Sequence, residues 1–142
     1  MRATGLPALA VVDAGPLYAA ADADDGDHEA SVVALSSPEL RLVVPALVVA
    51  EATYFVGRRL GVTAEAAFLR GLGSLDVEAP TAEDFARMAE LVAEYADFPL
   101  GGTDASVIAL AERLEASTIV TLDRRHFAAV RPRHRETFEL RP

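Results

Sequence analysis

The chain has 142 residues, 51% of them apolar and 25% charged, enough to close one hydrophobic core and too few to divide comfortably into two. Cysteine and lysine are both absent and all 13 basic residues are arginine, which excludes disulfide scaffolds, thiolate metal sites, cysteine nucleophiles, the lysine of a P-loop and Schiff-base chemistry. The formal charge of -9 argues at first against nucleic acid, but residues 124–142 hold six arginines against Glu136 and Glu139, a net +4, which leaves -13 for the rest.

The opening MRATGLPALAVV runs into acidic residues before it reaches the length of a signal segment, and no window approaches the roughly 20 apolar residues of a membrane span. A cytoplasmic protein without a membrane role is expected. LAVVD (9–13) reads as a buried strand that ends in Asp13, and Gly15-Pro16 marks the turn into a helix. ADADDGDH (21–28) is a solvated loop between two helices. LRLVV (40–44) is a second strand; Pro45 suits the first position of a helix that runs to about Leu60 and stops at Gly61. Thr63 to Leu72 is another helix, and LDVEA (75–79) an alternating strand. Thr81 and Asp84 open a helix with the stripe Phe85, Met88, Ala89, Val92 and Tyr95, broken by Pro99 and Gly101-Gly102. Thr103 opens the next, with Val107, Ile108, Ala111 and Leu114 as its stripe. STIVTLD (117–123) and ETFEL (136–140) are the last strands. Strands alternating with helices of this length give an α/β fold with a mostly parallel sheet.

In such sheets ligands gather beyond the carboxyl ends of the strands. Asp13 and Asp123 both end strands, so their carboxylates face one crevice if the strands are central. Asp104 sits in the first turn of a helix, where the macrodipole favours a carboxylate, and shares the core-facing stripe of Val107 and Ile108. Glu51 lies on a helix beside Leu47, Tyr54 and Phe55. On a buried face it needs a cation, unless it pairs with Arg58 or Arg59 or that face is less buried than its composition implies. Four inward carboxylates without a lysine repel one another, and a hard divalent ion with oxygen ligands, Mg2+ or Mn2+, is the simplest compensation.

VVDAGPLYAA near the start, VVAEATYF about forty residues later, then TDASVIALAERL and TIVTLDRRHF resemble, in order and over essentially the whole chain, the four motifs of PIN-domain proteins and especially of VapC-like toxins. The pair TDASVIALAERL with TLDRRHF is the specific part. The resemblance implies a three-layer α/β/α sandwich with about five strands, and residues 1–142 as a single PIN-type nuclease domain. It implies Mg2+- or Mn2+-dependent endonucleolytic cleavage of RNA, with Asp13, Glu51, Asp104 and Asp123 as the metal-binding, catalytic acids. It also implies a homodimer and a cognate VapB-type antitoxin, which could place an arginine in the acidic site. Many relatives carry serine or threonine directly after the first aspartate; here Ala14-Gly15 follow, and Thr103, Ser106 or Thr121 is left to supply a hydroxyl.

Arg124 and Arg125, directly after Asp123, are candidates for RNA phosphate contact, as is the Arg131–Arg135 group beyond them. His126 reads either as a pocket residue or, the commoner case for an isolated histidine beside Phe127, as a packed one; His28 and His134 have less claim to function. Two other classes compete with a nuclease. A catalytically silent module that only recruits a protein or RNA partner would be expected to lack one of the four acids. A phosphoryl-accepting receiver would need a lysine that this chain does not have.

Overall fold

The computed structural model describes residues 5–142, so the first part of the opening segment lies outside the described residues. LAVV and LRLVVP are nearly continuous apolar runs, the pattern of strands covered on both faces. They form β1 (Ala8–Val12) and β2 (Leu40–Pro45), with Ala10, Val11, Val12, Val43 and Val44 buried. β3 (Asp76–Glu78), β4 (Thr118–Val120) and β5 (Glu139–Arg141) complete a sheet of order β3-β2-β1-β4-β5 in which every pairing is parallel. The chain winds outward from β1 to β3, then returns to lay β4 against the other side of β1. The strand order therefore reverses between β1 and β4, the place where loops diverge and a crevice opens.

Helices α1 (Ala14–Ala21), α2 (His28–Leu35), α3 (Ala46–Leu60) and α4 (Val62–Leu72) connect β1 to β3, and α5 (Ala82–Glu94) and α6 (Gly102–Leu114) lead back to β4. Parallel strands joined by such crossover helices make a three-layer α/β/α arrangement around the sheet. Gly61, at φ +92°, ends α3 and starts α4; a side chain there would strain the backbone, so glycine is required. α6 packs against β1, β2 and β4 and is buried continuously from Ala105 to Ala111, a wider contact than a single stripe. α5 is tied to α6 by ion pairs, Arg87 Nε to Glu112 Oε1 at 2.7 Å and Arg113 Nε to Asp84 Oδ2 at 2.9 Å.

Pro45 ends β2 and caps α3 instead of opening the helix, β5 covers 139–141 rather than 136–140, and three further details differ from the sequence reading. On α5, Met88 and Leu91 are buried while Phe85 and Val92 are exposed, because the ion-paired Arg87 and Asp84 take the side facing α6. β4 stops at Val120 rather than Asp123, and a short helix, α7 (Arg124–Ala129), follows where none was expected. On α3, Val48, Ala52 and Val56 are the buried residues, whereas Tyr54 is 59% exposed and Glu51 lies on the exposed side. Apolar residues at 47–50, 52 and 54–56 leave that helix no unique hydrophobic stripe. The face that turned inward is the slimmer one, able to sit close against α1 and α6.

Candidate active site

Asp13 is the first residue after β1, and its N–H continues the ladder by donating to Val120 O at 2.9 Å. It caps α1: Oδ1 accepts from Ala14 N at 2.8 Å. Oδ2 accepts from the Thr121 hydroxyl at 2.8 Å, and the same oxygen, Thr121 Oγ1, accepts from Asp123 N at 2.9 Å. One buried hydroxyl thus joins the loops after β1 and β4. Gly15 lies beside the same loop, where a Cβ would touch the Leu122 side chain at 3.4 Å.

Asp13 is 7% exposed, with no cationic partner among the described residues. Burial drives its pKa up; the bonds from Thr121 and Ala14 oppose this, the charges of Asp104 and Glu51 add to it, and the result is about 6 against an ordinary 3.8. Asp104 is half-buried in the first turn of α6, where Oδ2 accepts from Gly101 N at 3.2 Å. Its pKa is raised by burial and by Asp123, while the Gly101 N–H and His126 work the other way. Glu51 reaches the group from the rim of α3. No ion pair joins it to Arg58 or Arg59 among the described residues, and the Arg59 guanidinium lies instead over the rings of Tyr18 and Phe55. The four acids consequently form an electrostatic chain: Glu51 and Asp104 act on Asp13, and Asp123 acts on Asp104.

Asp123 caps α7, accepting from His126 N at 3.0 Å, and its Oδ2 lies 2.9 Å from His126 Nδ1. That second contact is missing from the sequence reading, which favoured a packed His126. The spacing Asp-x-x-His at a helix start is the signal that reveals it once α7 is known. Of the three candidate hydroxyls, Thr121 alone contacts an acid; Ser106 Oγ donates to Thr103 O at 2.6 Å. His28 and His134 face backbone oxygens of Ala19 and Ala116.

Among the described residues no three His, Cys, Asp or Glu side chains close on a single point that could hold an ion. Three of the four acids are turned onto local donors: Asp13 onto Ala14 and Thr121, Asp104 onto Gly101, Asp123 onto His126. The donor chemistry nonetheless fits a hard divalent cation. All the available ligands are carboxylate oxygens, the pKa values of two of these acids are raised by burial and by neighbouring acids, and among the described residues no arginine pairs with them. Rotation about the side-chain torsions of Asp104 and Asp123 would exchange their capping contacts for a cation. Asp13, held from both oxygens, is the fixed point.

The arginines that follow divide clearly. Arg124 donates to the backbone oxygens of Leu140 and Pro142, Arg131 to Ala128 O and Val130 O, and Arg135 to Thr137 O. Arg133 pairs with Glu90 and Arg141 with Glu39. Arg125 is exposed, and its guanidinium lies 5.0 Å from the centre of the Phe98 ring.

The PIN-domain family model matches residues 10–131 of this chain. The chain belongs to the PIN-domain family. Ribonuclease VapC26 of Mycobacterium tuberculosis is 41% identical to this PIN domain over 124 residues, 86% of this chain and 92% of that protein. Among solved structures, VapC20 of M. tuberculosis, described as a sarcin-ricin loop cleaving toxin, matches with a TM-score of 0.79 at 22% identity, covering 94% of this chain and 99% of that one. VapBC2 from Rickettsia felis, solved bound to a promoter DNA fragment, matches with a TM-score of 0.69 at 18% identity over 93% of this chain and 96% of that one. At those identities the two structures speak for the fold, a five-stranded parallel PIN sheet, and the curated relative for the family. Among the described residues no helix of this PIN domain is long and apolar enough to cross a membrane.

Proposed function

We propose that this PIN domain is a metal-dependent endoribonuclease and the toxin of a toxin–antitoxin pair. The observation that carries the reading is Asp13: a carboxylate buried at the switch point of the sheet, fixed by two donors, and set against two further acids instead of a cation. A buried charge left in this state is costly to the fold, and its retention is best explained by use. Residues 13, 51, 104 and 123 supply the metal ligands, with Asp13 and Asp104 most enclosed and Glu51 and Asp123 at the rim.

Mg2+ or Mn2+, when bound, supplies Lewis-acid activation of water and neutralises charge that develops on the phosphodiester. The chain's own residues hold the geometry. Thr121 sets Asp13 against Asp123, His126 steadies the Asp123 carboxylate, and Glu51 or Asp104 orients the attacking water by accepting its hydrogen bond. The name of the relative, Ribonuclease VapC26, supports RNA as substrate, and the VapBC2 assembly among the fold neighbours supports a VapB-type antitoxin as partner; a homodimer rests on the family resemblance alone.

The test is cleavage of total RNA and of defined oligonucleotides by the purified protein with Mg2+, with Mn2+ and with a chelator. Expected is internal cleavage that requires the cation and is abolished in Asp104→Asn. Intact RNA under every metal condition, together with unchanged RNA in cells producing the protein, would refute the reading. Co-purification with the product of the neighbouring gene tests the antitoxin.

A further inference from the structure

An acidic catalytic rim repels its own polyanionic substrate, so a basic contact close to the acids must offset that repulsion. Five of the six arginines in the basic tail are engaged with backbone oxygens or with Glu90 and Glu39. Arg125 is the sixth. Among the described residues its guanidinium has neither a hydrogen bond nor an ion pair, and it rests on the ring of Phe98 at 5.0 Å. The same ring meets His126 edge-on, with centroids 4.7 Å apart and planes at 62°. His126 in turn contacts the carboxylate of Asp123 at 2.9 Å. An exposed guanidinium, an aromatic ring and an imidazole therefore form one continuous chain of contacts that ends on a catalytic acid.

Simple surface charge does not require this arrangement. Phe98 lies just before Pro99 in the α5–α6 connection, 27 positions from Arg125, and its ring is only half-buried although no strand or helix holds it. Its contacts orient the side chains of α7 rather than fill the core. A guanidinium placed over an aromatic ring, with no hydrogen bond or ion pair of its own among the described residues, keeps its N–H groups free for phosphate, and guanidinium planes and aromatic rings are surfaces on which proteins stack unpaired nucleotides.

We propose that Arg125, supported by Phe98 and His126, is the platform on which a single-stranded RNA nucleotide next to the scissile phosphate stacks. The proposal deepens the ribonuclease reading and rests on it for the identity of the ligand. Phe98 is a positioning residue: it holds the guanidinium plane beside Asp123. Arg125 is the specificity-bearing contact, and it selects unpaired RNA because a base locked in a duplex cannot lie on the plane.

The experiment measures binding and cleavage separately on the full chain. Binding of a fluorescein-labelled, mixed-sequence single-stranded RNA, and of the duplex of the same sequence, is followed by anisotropy in the Asp104→Asn background with Mg2+ present. Arg125→Ala should weaken single-strand binding about tenfold, the scale of one base stack, and should affect the duplex less. Arg125→Lys keeps the charge without the plane and should restore little. Phe98→Leu should reproduce part of the loss and Phe98→Tyr should not, with thermal denaturation confirming that each variant is folded. In the cleaving protein these losses should appear in KM more than in kcat.

Full recovery by Arg125→Lys, equal losses for duplex and single strand, unchanged binding in Arg125→Ala, or no measurable RNA binding at all would each overturn the platform. Cleavage by the parent chain with unchanged Arg125→Ala binding would leave the nuclease reading standing and remove the platform alone. The expected binding losses without cleavage by the parent would do the reverse.

Discussion

Replacing Asp13 with asparagine in metal-free protein should stabilise the fold at neutral pH, against the usual cost of altering a buried polar residue. The carboxyl has a pKa of about 6 in the folded chain and an ordinary 3.8 in the unfolded one. The folded state therefore holds this proton more tightly, so the group's stabilising contribution is complete below pH 3.8 and is lost as pH climbs through 6. Above that window the ionised carboxylate penalises the fold by about 3 kcal/mol, from a shift of roughly two units at 1.36 kcal/mol each. Asparagine does not ionise and keeps an oxygen for Ala14 N, but it sets an amide against the Thr121 hydroxyl. Allowing about 1 kcal/mol for that mismatch leaves a net gain of about 2 kcal/mol, or roughly 4–8 °C in Tm for a chain of this size. Thermal denaturation in chelator at pH 7.5 measures it. At pH 4 the gain should disappear, and Mg2+ should reverse the order by stabilising the parent alone. A variant clearly less stable than the parent at pH 7.5, or a gain that does not change with pH, would show that Asp13 is not strained by burial and its acidic neighbours.

Thr121→Val removes the hydroxyl shared by Asp13 and Asp123 and leaves the buried Asp13 Oδ2 and the part-buried Asp123 N–H without that partner; we expect a loss of about 1–3 kcal/mol in chemical denaturation and at least a tenfold loss of cleavage, both largely restored by Thr121→Ser. Glu51→Gln alters an exposed side chain, so stability in chemical denaturation should stay within about 0.5 kcal/mol of the parent while cleavage is lost; retained activity would remove Glu51 from the ligand set. Arg87→Met breaks the two bonds at 2.7 and 2.9 Å that join α5 to Glu112 of α6, and urea denaturation should show a loss of about 2–4 kcal/mol with RNA cleavage by the folded fraction unchanged.

The reading from sequence worked where one local signal sufficed. Apolar runs closed by Asp13-Ala-Gly-Pro and by Pro45 specify buried strands that turn into helices, because sterics and solvation act there within a few residues. Residue types alone removed lysine- and cysteine-dependent chemistry, and four separated acids in a familiar motif order pointed to the family. Tertiary structure decided what depends on how elements pack. Glu51 was expected on the buried face of α3, but a helix apolar on nearly every side takes its orientation from its neighbours, and Val48, Ala52 and Val56 turned inward. Asp104 is only half-buried for the same kind of reason, since α6 is enclosed by sheet and helices beyond its first turn.

Neither the Thr121 bridge nor the Phe98–Arg125–His126 chain of contacts has a sequence signature. Their members lie 110 and 28 positions apart at the widest, and only the reversal of strand order beside β1 and the fold of α7 against the α5–α6 connection bring them together. Periodicity reports the environment of an element averaged along its own axis. The sign and strength of an interaction between two side chains depend on a distance that the chain fixes only once the sheet has closed around β1.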